Sequence, residues 1–358
     1  MAQVLPPIPL IDEDEEVPTV GGIQASLQAD EPSSVTSKNV NSLLDGEDGS
    51  GLSCLRLEPN STESEGTDVG ATRRRNSSGP QVRKPPITSR VEVRCATSLR
   101  EPSDDVYKMT ASKRGYCVII NNLNFEGFPL LERHGSKEEG EMLEQLFTQL
   151  GFEINQIVDA SRDRMRESFK EYSEKPDQIN CDAFIGIILS HGGKDNLIHG
   201  SDNYSIEVEQ LIDFFNNKNC PALVNKPKIF FVQACRGMKD DHGVQVEFVS
   251  DAVGHLSASG DGGKETRILP TWGDTVICYS TVDGFTSNRN RDYGSWFGDA
   301  LMKVLSEDSH NMELHRMLMK VNNMLMNKEG SNKLKQSLEI VYRGWAKRLY
   351  FNPGLSQV

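Results

Sequence analysis

No tryptophan, tyrosine or phenylalanine occurs before Tyr107, and this asymmetry decides where in the chain a fold can form. Aromatic side chains supply much of the apolar area that a core buries. The same stretch holds ten of the 16 prolines. It also opens on Asp12-Glu13-Asp14-Glu15-Glu16, a solvated acidic run. Such a segment cannot bury enough apolar surface to offset the entropy of ordering it. Residues 1–105 are therefore expected to be a disordered tail and residues 106–358 one compact domain. A hydrophobic fraction of 37% over 358 residues, low for an all-globular chain, fits that division.

Within the domain, strand and helix signals alternate, which points to an α/β sheet with helices on both faces. Tyr116 to Ile120 reads as the first strand. A helix follows, with Ser136 and Glu139 in capping-box spacing, Met142, Leu143, Leu146, Phe147 and Leu150 on one face, and Gly151 as its stop. Next come a short strand (Phe152 to Val158), a helix with Met165, Phe169 and Tyr172, a strand Ala183 to Leu189, a helix with Leu211, Ile212 and Phe215, and a strand Ile229 to Val232. Residues 238–271 are polar and glycine-rich without periodicity, and a break of that length inside a domain is functional or disordered. The sheet resumes at Thr275 to Tyr279, followed by helices over Phe297 to Leu305 and Leu314 to Met326 and a last strand near Leu338 to Tyr342.

Two of the buried-strand candidates end in reactive side chains. The run Ile229 to Val232 leads into Gln233-Ala234-Cys235-Arg236-Gly237, and the run Ala183 to Leu189 leads into Ser190-His191-Gly192. In one parallel sheet the two carboxyl ends share the edge where α/β sheets hold ligands. A thiol and an imidazole there suit nucleophilic attack on a carbonyl: the thiolate attacks, and the imidazole holds the proton and hands it to the leaving amine. The backbone N–H groups of Gly192 and Cys235 are candidate donors to the oxyanion. A net charge of −13 with no basic stripe argues against nucleic acid as a partner. Seven cysteines without Cys-x-x-Cys spacing fit reduced thiols in the cytoplasm, and Cys117, Cys181 and Cys278 read as packing residues. The start lacks the basic and apolar blocks of a signal peptide, and no apolar run is long enough to span a membrane. No metal site or cofactor is implied; His310 and His315 have no partner at ligand spacing. Arg73-Arg74-Arg75-Asn76-Ser77 is a candidate kinase site, with a solvated basic run as the plainer reading.

The pentapeptide, with a histidine upstream, resembles the signature of the caspase family. The resemblance extends from about Tyr107 to Pro353 through Ile119-Ile120-Asn121-Asn122, Arg133-His134-Gly135-Ser136, Leu189-Ser190-His191-Gly192, Lys226-Pro227-Lys228, Tyr279-Ser280-Thr281, Gly294-Ser295-Trp296-Phe297 and Leu349-Tyr350-Phe351. It implies an open, mostly parallel six-stranded sheet and a cysteine endopeptidase that cuts proteins after aspartate and acts in apoptosis. Cys235 matches the nucleophile, His191 the acid/base, and Gly192 with Cys235 the oxyanion donors. Arg133, Gln233 and Arg289 match the pocket for the P1 aspartate, and Ser287, Asn290 and Trp296 further substrate-binding positions. Two guanidiniums and an amide suit a carboxylate and would face an arginine or lysine side chain with like charge. That disfavours the basic-specific peptidases as an alternative; a catalytically idle homologue regulating partner caspases is the other. Effector members carry aromatic residues where this chain has Thr286 and Asn288, which puts preference beyond P1 in doubt.

Family members mature by cleavage after aspartate, so the break acquires a use. The resemblance divides the domain into a large subunit (106–251), a linker (252–271) and a small subunit (272–358). Asp251 is the expected cut, Asp261 the second choice, and Asp68, Asp104 or Asp105 could release the tail. It also implies a homodimer of processed halves paired through the last strand, an activating initiator caspase, and inhibitor of apoptosis proteins as partners. The absence of a helical adaptor pattern in the tail favours the effector type.

Overall fold

The computed structural model describes residues 90–127, 132–242, 270–290, 294–330 and 333–357. The expected disordered tail is therefore outside the described residues up to 89. Six strands form the main sheet: β1 (Gly115–Asn121), β2 (Phe152–Val158), β3 (Ala183–Leu189), β6 (Lys228–Gln233), β7 (Thr275–Tyr279) and β10 (Glu339–Arg343), in the order β10-β7-β6-β3-β1-β2. All neighbours are parallel except β10 and β7. The chain builds outward from β1 to β2, returns to β3 on the other side of β1, and continues to β6 and β7. The reversal lies between β1 and β3, the place where sheets of this kind leave a crevice at their carboxyl ends.

Both faces of the sheet are covered, which is why its central strands read as unbroken apolar runs. Cys117 and Ile119 of β1 point to the layer of α1 (Ser136–Gln149), α4 (Trp296–Asp308) and α5 (Leu314–Asn327). Tyr116, Val118 and Ile120 point to the layer of α2 (Arg162–Ser173) and α3 (Val208–Ile212). Gly186 lets that layer come close: a Cβ there would lie 2.7 Å from the Phe230 ring. Two small hairpins, β4 (Leu197–His199) with β5 (Ser205–Glu207) and β8 (Arg289–Asn290) with β9 (Gly294–Ser295), were not legible as periodicity because each strand has only two or three residues.

The structure differs from expectation at three places. The first turn of α1 has no capping box: Gly135 is the N-cap at φ 72°, and it makes no side-chain cap hydrogen bond. Ser136 and Glu139 are drawn instead into a buried polar cluster described below. Residues 90–105, assigned to the tail on composition, lie against the domain. The Val91 N–H donates to Gln145 Oε1 (3.2 Å) and the Val93 N–H to Gln149 Oε1 (3.0 Å), while Arg94 N reaches Ser306 O and Ala96 N reaches Pro353 O, both at 2.9 Å. Composition missed this segment because it is held mainly through its backbone, by Gln145, Gln149 and Asn352 side chains and by carbonyls, with Val91 and Val93 packed against the core. Thirdly, the break begins later than residue 238. Lys239 bonds to Gly284 and Thr286, and Lys335 N donates to Asp241 O at 2.8 Å, so its first residues belong to the domain.

Candidate active site

Register places the two reactive side chains on one edge. Leu189 and Gln233 are partners in the parallel pair β3–β6, so Ser190-His191-Gly192 and Ala234-Cys235-Arg236 leave the sheet side by side. The Ser190 N–H donates to Gln233 O at 3.2 Å, and Gly192 comes so close that a Cβ would sit 2.6 Å from the Cys235 carbonyl oxygen. No side chain fits there, which accounts for a glycine after the histidine. The hairpin β4–β5 braces the histidine segment: His199 N donates to His191 O at 3.0 Å and Gly193 N to Leu197 O at 3.0 Å. The His191 ring packs against Phe125, with centroids 4.7 Å apart. Cys235 is buried, and its sulfur accepts the Ser287 N–H at 3.4 Å.

Beside the cysteine, three side chains from distant parts of the chain meet on one oxygen. Gln233 Oε1 accepts from Arg133 Nη2 and, at 3.2 Å, from Arg289 Nη2. Arg133 is anchored by neutral groups, donating to Asn122 O at 2.8 Å and Ser136 Oγ at 2.7 Å, and Ser136 in turn donates to Asn121 Oδ1. Arg289 donates to His134 O at 3.0 Å and pairs with the Glu139 carboxylate at 2.9 Å. Both guanidiniums are buried. Burial, and after it the like charge of Arg289, pushes Arg133 well below the usual guanidinium range, with Glu139 opposing. Arginine keeps its proton even so, and the cavity holds two buried cations for one buried anion.

The segment after β7 closes over this cluster. Gly237, last residue of the pentapeptide, lies against Gly284, where a Cβ would fall 2.3 Å from the carbonyl oxygen. Arg236 N and Phe285 O bond at 3.0 Å, and Gly284 N and Arg236 O at 2.9 Å. Arg236 itself is buried against the Tyr279 ring (4.1 Å) and bonds to Asn196, Thr281 and Glu339. Thr286 and Asn288, where aromatics are absent, have structural partners: Thr286 Oγ1 donates to Asp240, and Asn288 is fixed by Gln336 Oε1 (2.7 Å) and Lys335 O (3.3 Å). Gln336 also donates to Ser280 O at 2.7 Å and, with Gln233, to Ser287 Oγ. Gln336 and Glu139 are the buried polar residues that motif reading did not assign to this site. Glu139 had one visible signal, a carboxylate on the apolar face of α1 beside Leu143. Asn290 lies in β8; Trp296 is 1% exposed, within the core, with the Lys328 ammonium 4.9 Å above its ring.

Asp251 and Asp261 lie outside the described residues. Asp105 is described, and its peptide is tied down: Val106 N bonds to Ser103 O, Arg348 N to Asp105 O at 2.8 Å, and the carboxylate pairs with Arg348 and Ser103. Among the described residues no group of three or more His, Cys, Asp or Glu is placed to hold a metal, and no helix is long and apolar enough to cross a membrane. Cys117, Cys181 and Cys278 are all buried in the core, and burial pushes each of these thiols up.

The family model described as "Caspase domain" matches residues 114–350. Caspase-2 of Gallus gallus is 35% identical over 231 residues, covering 63% of this chain and 54% of that protein. Caspase-3 of Xenopus laevis is 33% identical over 245 residues, 68% of this chain and 83% of that one. Cell death protein 3 of Caenorhabditis remanei is 32% identical over 270 residues, 69% of this chain and 52% of that protein. The match thus spans about half the length of the first and third of these relatives. In fold, the chain is similar to the crystal structure of Caspase-1 from Spodoptera frugiperda at a TM-score of 0.62 and 24% identity, covering 74% of this chain and 99% of that one.

Proposed function

Because the chain belongs to the caspase family, we propose that it is a cysteine endopeptidase that hydrolyses proteins after aspartate. The observation that carries this reading is the convergence of Arg133 and Arg289 on Gln233 Oε1, next to a cysteine that follows the same strand. Two cations against one resident anion leave a site that a single carboxylate completes. The Cys235 thiolate attacks the main-chain carbonyl carbon of that aspartate, and the backbone N–H groups of Gly192 and Cys235 stabilise the oxyanion. His191 protonates the leaving amine, giving an acyl-enzyme, and then takes a proton from the water that hydrolyses it.

Ser287 holds the sulfur and Gln233 in place, and the segment through Asn290 lines the side of the substrate away from P1. With Thr286 and Asn288 occupied by structural bonds, P2 and P4 selectivity is weak or polar. Activation proceeds by cleavage after Asp251 or Asp261. Asp105 is a slower site, since its turn must open before a peptidase can bind the strand. The edge strand β10 pairs with its counterpart in a second copy and so protects the sheet edge. The working place is the cytoplasm and the type effector; apoptosis is its setting, in keeping with the relative called Cell death protein 3.

The test is cleavage of peptides ending in Asp, Glu, Asn or Arg by the processed wild type and by Cys235→Ala. The expected outcome is cleavage after Asp alone, lowered about 10⁴-fold or more in the variant. Cleavage after Arg would overturn the pocket assignment, and no cleavage at all would leave an idle homologue.

A further inference from the structure

Glu139 is fully buried and takes no part in the chemistry just described. A carboxylate removed from water in that way is tolerated only with close partners, and this one has three bonds. Besides the Arg289 guanidinium at 2.9 Å, it accepts the Ser295 N–H at 3.1 Å and the Ser295 hydroxyl. The room for it is made by glycines. A Cβ on Gly298 would fall 2.2 Å from Glu139 Oε1, and one on Gly294, at φ +84°, would fall 2.9 Å from Oε2. Glu139 therefore sits in a cradle supplied by the chain after the break, although it belongs to a helix before it.

The two pocket arginines are held unequally. Arg133 is fixed by a carbonyl and a hydroxyl on its own side of the pocket. Arg289 enters from the two-residue strand β8, donates to His134 O at 3.0 Å and to the Gln233 Oε1 that Arg133 also uses, and has Glu139 as its only ion-pair partner among the described residues, so that without Glu139 it keeps two bonds to the three of Arg133. Two guanidiniums on one oxygen repel each other, and without a counter-charge the less anchored one turns towards water. Charge count leads to the same residue. Arg133 and Arg289 with Glu139 leave one net positive charge, which one P1 carboxylate neutralises and a carboxamide does not.

Resting on the aspartate reading above, we propose that Glu139 is a positioning and specificity-determining residue, which holds Arg289 in its binding pose before substrate arrives. Replacing it by glutamine keeps the size and removes the charge. Arg289 must then be ordered by each substrate, so binding suffers more than chemistry.

Processed full-length wild type, Glu139→Gln and Glu139→Asp should be compared on peptides with Asp or Asn at P1, with rates normalised to the Cys235 thiol, titrated as the alkylation in excess of that of Cys235→Ala because Cys95 is exposed. Glu139→Gln is expected to raise KM for the Asp peptide about tenfold while kcat per titrated thiol stays within about twofold, since freeing one arginine is worth about that factor. The preference for Asp over Asn falls in step, and Glu139→Asp recovers most of the loss. Ser295→Ala, which keeps all charges and removes one bond to the carboxylate, should raise KM about threefold and serves if the glutamine variant does not fold. A purely structural carboxylate would lower the melting temperature and the titrated fraction with KM unchanged, and that result overturns the proposal. If wild type prefers Asp and only the variants fail to respond, the aspartate reading stands and the role of Glu139 falls. If wild type does not cut after Asp, both fall together.

Discussion

Each end of the sheet carries a buried ionic cluster, and the two differ in balance. At the carboxyl end, Arg133 and Arg289 face Glu139, two cations to one anion. At the amino end, Lys228 is fully buried at the start of β6 and donates to Leu223 O at 3.1 Å and Asn217 Oδ1 at 3.2 Å. Its ammonium lies 4.0 Å from the Asp274 carboxylate, which accepts the Tyr107 hydroxyl at 2.8 Å. One cation meets one anion in that pair, and the other buried charges at this end, Arg114 and Asp182, are likewise one of each sign. A balanced buried pair is complete in itself and acts as a joint, here between Lys228 before the break and Asp274 after it. A surplus of buried charge is complete only when something else supplies the counter-ion. What sets the proposed binding end apart is thus the imbalance; buried charge occurs at both ends.

The strongest way to break this comparison is to remove a cation from the unbalanced end. Arg133→Leu should lower kcat/KM for an Asp peptide by about 10³-fold or more, because the remaining guanidinium is already paired with Glu139 and the net charge falls to zero. Selectivity for Asp over Asn measured on that variant decides the matter: if it survives, surplus charge is not what selects. At the other end the matching change is Asp274→Asn. Leaving Lys228 buried without its carboxylate should lower unfolding free energy by about 3 kcal/mol in urea titrations, with the Asp over Asn preference intact. A change in preference there would mean that the two ends are coupled.

The sequence made the sheet legible and left much of the charge arrangement hidden. A short, continuous apolar run such as Ala183 to Leu189, rich in isoleucine, reads as a strand covered on both faces, and the observed strand agrees residue for residue. The edge on which His191 and Cys235 sit followed from those strands being parallel. Glu139 was misread because a Ser136-x-x-Glu139 spacing has a local meaning, the capping box, and that meaning assumes the glutamate is near water. Here an arginine 150 residues later claims it. Residues 90–105 escaped because backbone hydrogen bonds to Gln145 and Gln149 leave no pattern in composition. Local rules describe elements well; they fail where a polar side chain finds its partner in a distant part of the chain, since nothing in the neighbouring residues announces that partner.

A smaller effect sharpens the contrast from the balanced end. Burial, partly offset by Asp274, holds the Lys228 ammonium down at about 8, against an ordinary lysine value of about 10.4 in the unfolded chain. Between those values the unfolded protein binds a proton that the folded one has released, so unfolding free energy rises with pH across the window. Below about 8 both states are protonated and the penalty of burying the charge is fully present. Lys228→Met removes this titration. Wild-type stability should therefore gain on the variant by about 2 kcal/mol from pH 8 to pH 10, read as the difference between two urea titration series. Tyrosines titrating in the unfolded chain contribute equally to both proteins and cancel in that difference. The Tyr107 hydroxyl, pushed up by burial and by Asp274, stays neutral in the folded state throughout. A flat difference would mean that Lys228 keeps an ordinary affinity for its proton and that the amino-end pair is as well solvated as a surface one.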